Sequence, residues 1–164
     1  MSARPLVGEP LSLDLLNTRW AGPSGPHDAL DTVDGLRAWL SEADLPGTVD
    51  EPTLAALRET RDSILAAIGG DTAGLDAVLD RGRVRLCVEG DRIEVDPAWL
   101  PSWLAARHCL DLLTTVPDRI KACAGPTCVL HFLDTSKNGS RRWCSMAGCG
   151  NRAKANRHYT RSRG

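Results

Sequence analysis

The apolar positions of this 164-residue chain change period several times. Leu11, Leu13 and Leu15 alternate with Ser12 and Asp14, as in a strand, while Leu16-Asn17-Thr18 also suits the start of a helix; the type stays open. Ala21 to Pro26 is rich in Gly, Pro and Ser and predicts a loop. Asp31 is placed to cap a helix through Val33, Leu36, Trp39 and Leu40, which Leu45-Pro46-Gly47 ends. Pro52 suits the first turn of a second helix that buries Leu54, Leu57, Ile64, Leu65 and Ile68 and turns Arg58, Glu59 and Asp62 outward. Gly69-Gly70 stops it, and a shorter helix follows over Ala73 to Leu79.

Val84, Leu86 and Val88, then Ile93 and Val95, alternate with polar residues around Gly90-Asp91. A two-residue turn there pairs Val88 with Ile93 and Leu86 with Val95 on one face. Trp99, Trp103, Ala106, Leu110 and Leu113 step by three and four and predict a helix packed on the body. Pro117 marks a boundary. The architecture expected is α+β: a mixed helical and hairpin N-terminal domain over residues 1–117, then a small four-cysteine treble-clef-like zinc module over 118–164.

That module rests on Cys123-x4-Cys128 and Cys144-x4-Cys149. Each pair spans a tight bend, and two such bends close a thiolate tetrahedron around Zn²⁺. Ile120 to Ala122 reads as a strand, Val129 to Leu133 as its return, and Gly148 to Arg161 as a helix, so two ligands come from a knuckle and two from a helix start. The segment has few large apolar residues, and so short a piece rarely builds its own core. Zinc supplies on the order of 10 kcal/mol of folding energy in such modules. With four thiolate ligands no position is left for water, so the expected role of the metal is structural. Cys87 and Cys109 lie in apolar runs and read as small buried hydrophobes.

The formal net charge of −1 hides an asymmetry. Residues 1–120 carry eleven Lys/Arg against twenty Asp/Glu; residues 121–164 carry nine against a single acid, Asp134. An acidic body with a basic end predicts a polyanion partner, nucleic acid before others. The candidate contacts are Arg141, Arg142, Lys154, Arg157 and Arg161, with Arg152 shared between phosphate contact and a place behind the metal ligands. Asn17 is a candidate ligand-binding residue of the N-terminal domain, or a cap that satisfies backbone. The layout leaves room for a small-molecule effector in that domain and for a homodimer. No window spans a bilayer, and the first residues carry no apolar secretory stretch, so no membrane and a cytoplasmic location are expected.

The run Trp143-Cys144-Ser145-Met146 through Cys149-Gly150-Asn151-Arg152 and on to Lys154 resembles the CGNR zinc finger, with Cys123, Cys128 and Phe132-x-Asp134-Thr-Ser agreeing. Leu13-Asp14-Leu15-Leu16-Asn17-Thr18 resembles the ABATE domain that precedes this finger. The resemblance implies a stress-induced bacterial transcription regulator whose finger binds DNA. Three other readings use the same residues: a protein-interaction module, an RNA-binding module, and a treble-clef nuclease built on His131 and His158. One Phe and one Tyr in the whole chain leave little for base stacking on RNA. No Ser-His-Asp set or Gly-rich phosphate loop is present, so a non-enzymatic role is expected.

Overall fold

A computed structural model of the chain describes residues 4–155. The short helix α1 (Leu11–Leu16) lies at its centre. It is buried on all sides, which explains the ambiguous alternation: its polar positions are inside too, and have partners. Asp14 accepts from the Trp39 indole at 2.9 Å and from Arg4 at 3.0 Å, and the Ser12 hydroxyl meets His108 at 3.3 Å.

The segment expected as a loop is a hairpin, β1 (Arg19–Gly22) and β2 (Gly25–Asp28), paired Arg19 to Asp28 and Trp20 to His27. Its Gly/Pro/Ser composition belongs to the turn. The strands are held by the cross-strand stack of Trp20 on His27, 5.1 Å between ring centroids at 15°. Helix α2 (Val33–Glu42) is capped by Thr32 rather than Asp31: the Thr32 hydroxyl accepts from the Gly35 N–H at 3.1 Å. Leu36, Trp39 and Leu40 are its buried face. Helix α3 (Glu51–Ile68) begins at Asp50, whose carboxylate accepts from the Thr53 N–H at 2.9 Å, and Pro52 sits in its first turn. Leu54, Leu57 and Ile64 face the core as expected; Leu65 is 48 % exposed, one step round the helix. Helix α4 (Ala73–Leu79) follows.

The second hairpin, β3 (Gly82–Arg85) and β4 (Arg92–Val95), has a register four residues away from the one expected. Gly82 pairs with Val95 and Val84 with Ile93. Leu86 and Val88 lie in the connecting loop, 81 % and 108 % exposed. Packing selects this register: Gly82 lies flat on Trp103, where a Cβ would come within 2.7 Å of the indole nitrogen. The Trp103 N–H in turn donates to the Leu79 carbonyl at 3.0 Å. Helix α5 (Leu100–Thr115) buries Trp103, Ala106, Cys109 and Leu112, so the inward stripe is turned from the expected one and Leu110 is 40 % exposed. Cys109 is a buried thiol as expected, and burial pushes it up to about 11; Cys87 is only half-buried.

Helices α1 to α5 enclose a leucine-rich core. A third antiparallel hairpin, β5 (Ile120–Ala122) and β6 (His131–Leu133), leaves the end of α5 and leans back on α1, with Ile120 and Leu133 packed against that core. Among the described residues no helix is long and apolar enough to cross a membrane.

Candidate metal centre

Between β5 and β6 the chain makes the first knuckle. The Cys123 N–H donates to the Leu130 carbonyl at 2.9 Å and the Cys128 N–H to the Gly125 carbonyl at 3.0 Å, which folds the six residues into a bend. A side chain at Gly125 would be crowded there. A Cβ on it would stand 3.0 Å from the Cys128 Cβ and 3.1 Å from the Cys149 sulphur. Of the second pair, Cys144 precedes a π-helical turn, Met146–Gly150, and Cys149 lies within it; the turn continues as helix through residues 151–155. The Ser145 hydroxyl caps this turn by accepting from the Gly148 N–H at 3.2 Å. The Ala124 N–H donates to the Arg142 carbonyl at 2.8 Å and ties the two halves together.

The four sulphurs lie within 4.8 Å of one another. Cys128 and Cys144 are 3.8 Å apart, and Cys144 and Cys149 3.7 Å. A tetrahedron of sulphurs about 2.3 Å from a central Zn²⁺ has edges of about 3.8 Å, so the spacing fits zinc. It is too long for a disulfide, whose sulphurs approach to about 2.05 Å. The four thiols resist ionising together without a counter-charge. Burial pushes the Cys128 thiol up to about 11 and raises that of Cys144 as well, with the neighbouring sulphurs adding to the effect. At Cys123 burial also opposes ionisation, but the N–H groups of Cys144 and Gly125 donate to the sulphur and hold the thiol below its ordinary range. A divalent cation among the four would hold all of them as thiolates. Zinc with four thiolates carries excess negative charge, and Arg152 answers it: its guanidinium lies 3.1 Å from the Cys149 sulphur, which keeps it more firmly protonated.

The basic residues divide by what they touch. Arg141 is engaged in the frame of the module. It donates to the carbonyls of Trp143 at 3.1 Å and Cys144 at 2.7 Å, covers the Phe132 ring at 4.1 Å and pairs with Glu9 at 3.6 Å. Arg142 and Lys154 are exposed, Arg142 resting 5.4 Å above the Trp143 ring. The acid of this region, Asp134, is buried. The Ser136 hydroxyl and the N–H groups of Ser136 and Arg141 hold its carboxyl below the ordinary range. Arg157 and Arg161 lie outside the described residues, as does His158. His131, the other residue of the nuclease reading, is on β6 with a largely buried ring, and burial lowers its pKa.

Asn17 is fully buried and occupied. Its amide donates to the His131 carbonyl and accepts from the His131 N–H, both at 2.9 Å, so it pairs with β6 as a strand backbone would. The same residue caps α1 at its C-terminal end. Of the two roles expected, the structure shows the backbone-satisfying one. Glu9 repeats the device one step along by accepting from the Leu133 N–H at 2.9 Å. Trp20 was not a candidate from sequence, yet it belongs to the metal module: its ring packs with Cys123, Leu130, Phe132, Cys144 and Cys149.

Comparison with known families gives two matches. The ABATE model, "Putative stress-induced transcription regulator", matches residues 9–116. The CGNR zinc finger model matches residues 119–162. The two together account for the body, the metal module and their order along the chain. Among curated proteins none matches.

Proposed function

From the premise that the chain belongs to the ABATE family and carries a CGNR zinc finger behind that domain, we propose that it is a DNA-binding transcription regulator. The finger, held in shape by a structural zinc ion, lays its basic surface against the phosphate backbone. The observation that carries this reading is the charge around the metal centre. Arg142 and Lys154 project into solvent, while the acid of residues 121–155, Asp134, is buried in its own loop. A surface that served solubility alone would mix the two signs.

Arg142 and Lys154 carry phosphate contacts in this reading, together with Arg157 and Arg161 further along the chain. Arg141 and Arg152 act chiefly by shaping the finger and balancing its thiolates. The body supplies the signal, through a small-molecule effector or through pairing with a second copy. A single finger has a small footprint, and a dimer would bring affinity into a useful range. The protein works in the cytoplasm on this reading, as a binder and not a catalyst.

Electrophoretic shift of duplex DNA by the reduced, zinc-loaded chain tests it. Binding should weaken steeply with salt, and Arg142→Ala or Lys154→Ala should each flatten the salt slope by about one unit at unchanged zinc content. Equal binding by both variants removes this face from the contact surface. Cleavage of plasmid DNA in Mg²⁺ or Mn²⁺, lost in His131→Ala, would support the nuclease instead.

A further inference from the structure

A cleft of about 770 Å³ opens at the seam between the two parts of the molecule. The β1–β2 hairpin and α3 form one side, and the residues that follow the first knuckle form the other. Its volume is in the range of small-molecule sites, roughly 300–1,000 Å³. The stacked rings of Trp20 and His27 line it. Leu65 of α3 and Val129 of the finger also line it, and they are 48 % and 55 % exposed. Large apolar side chains left open on both sides of one concave seam mark a surface that a ligand would cover.

The charges in the cleft answer one another. The Arg61 guanidinium holds both oxygens of Asp28 at 2.7 and 2.6 Å, and Arg19 bridges Asp28 and Asp62 at 3.1 and 2.6 Å. An ionic ligand would have to break these pairs. One polar atom is different: among the described residues Arg61 Nε is buried without a partner, and Arg61 lines the cleft. Arg61 Nε always carries a proton and is a donor. The complementary molecule is therefore uncharged, flat enough to lie along Trp20 and His27, and furnished with an acceptor oxygen.

We propose that this cleft binds an uncharged aromatic compound bearing a carbonyl or ether oxygen, and that the zinc finger senses the binding through Cys128, Val129 and His131. Cys128 is a metal ligand that also lines the cleft. The ligand can make its finger contacts only when the knuckle is organised around zinc. Ligand binding and zinc retention are then linked, and each strengthens the other by the same factor. The inference gives the effector of the regulator reading a place and a chemistry, and it rests on that reading only for its consequence at DNA.

The probe is prodan, a neutral naphthyl ketone whose emission shifts on leaving water, titrated into the zinc-loaded full chain. Saturable binding at one site per chain is expected. Leu65→Glu and Val129→Glu should each weaken it at least tenfold, with zinc content and melting temperature retained. Ala21→Trp, which fills the cleft without charging it, should do the same and serves if either charged variant fails to fold. Leu86→Glu with Val88→Glu, on the exposed loop far along the chain, should leave binding unchanged. Saturating prodan should slow zinc transfer to a chromogenic chelator at least threefold. Absence of saturable binding, unchanged affinity in the folded cleft variants, or loss in the Leu86/Val88 variant overturns the site; an unchanged transfer rate overturns the coupling. No DNA enters these assays, so their failure leaves the DNA-binding reading standing, and its failure leaves them standing.

Discussion

Two cores hold this molecule, and they are built by different physics. Among the described residues the body's core contains seventeen that are buried, mostly leucines on five helices. The finger's contains six among the described residues, of which three are cysteines and one, Trp20, belongs to the body. The first is large enough for apolar burial to dominate. The second has Leu130 and Phe132 as its own buried apolar anchors. Metal ligation and a tryptophan from the neighbouring domain make up the difference. Asn17, Glu9 and Trp20 tie the finger to the body across the boundary drawn at Pro117 from sequence.

The sharpest way to separate the two cores is to remove the metal. Cys144→Ser should abolish stoichiometric zinc and unfold the finger, a loss on the order of 10 kcal/mol of metal-linked folding energy. Hydrogen exchange should show protection lost beyond residue 119 and largely kept in α3 and α5. Collapse of α3 and α5 as well would mean that the two cores are one.

Trp20→Ala strikes the finger from the other side. A buried tryptophan truncated to alanine costs about 3–5 kcal/mol, and most of it should appear as faster zinc release to a chelator rather than as melting of the body. Unchanged release with a lower body melting temperature would assign Trp20 to the wrong core. Asn17→Ala should cost less, about 2–3 kcal/mol, because it strands the His131 N–H and carbonyl inside the seam. Exchange at the His131 amide should rise by about two orders of magnitude, and a protected amide there would refute the pairing.

The smallest effect concerns the body alone. Burial works against ionisation of Asp28, but Arg61, the Leu30 N–H and Arg19 overcome it and hold the carboxyl below its ordinary value. A depressed carboxylate stabilises the fold fully above its unfolded pKa and loses that contribution as pH falls through the lower folded value. Its contribution should be constant above about pH 4 and fade below it. Acid releases zinc from parent and Asp28→Asn alike, so the difference between their melting curves isolates Asp28: the gap should narrow below pH 4, and a gap independent of pH would contradict the assignment.

What could be read in the sequence follows the reach of each interaction. The cysteine quartet was legible because each knuckle is local and its spacing is dictated by the metal. Pro52 in the first turn of α3 is equally local, whereas the cap of α2 is one residue later than Asp31, at Thr32, because neighbouring polar side chains compete for the same N–H. The β3–β4 register was not, because alternating strands with no deeply buried face slide easily, and the contact that fixes them, Gly82 on Trp103, lies in another element. The β1–β2 hairpin was concealed by its turn residues. Arg61 offered a signal that was available and unused: its spacing from Leu57 and Ile64 puts it on the apolar stripe of α3, and a charge in that position implies a buried partner, here Asp28. Nothing near Trp20 in sequence could show that it packs against cysteines a hundred residues away.

One zinc ion, held by Cys123, Cys128, Cys144 and Cys149, should organise the basic end of this chain. X-ray absorption at the zinc edge of the reduced, full-length protein addresses it directly. The expected spectrum shows one zinc per chain with four sulphur neighbours at about 2.3 Å and none lighter. A first shell containing nitrogen or oxygen, or a folded finger with no bound zinc, would contradict it.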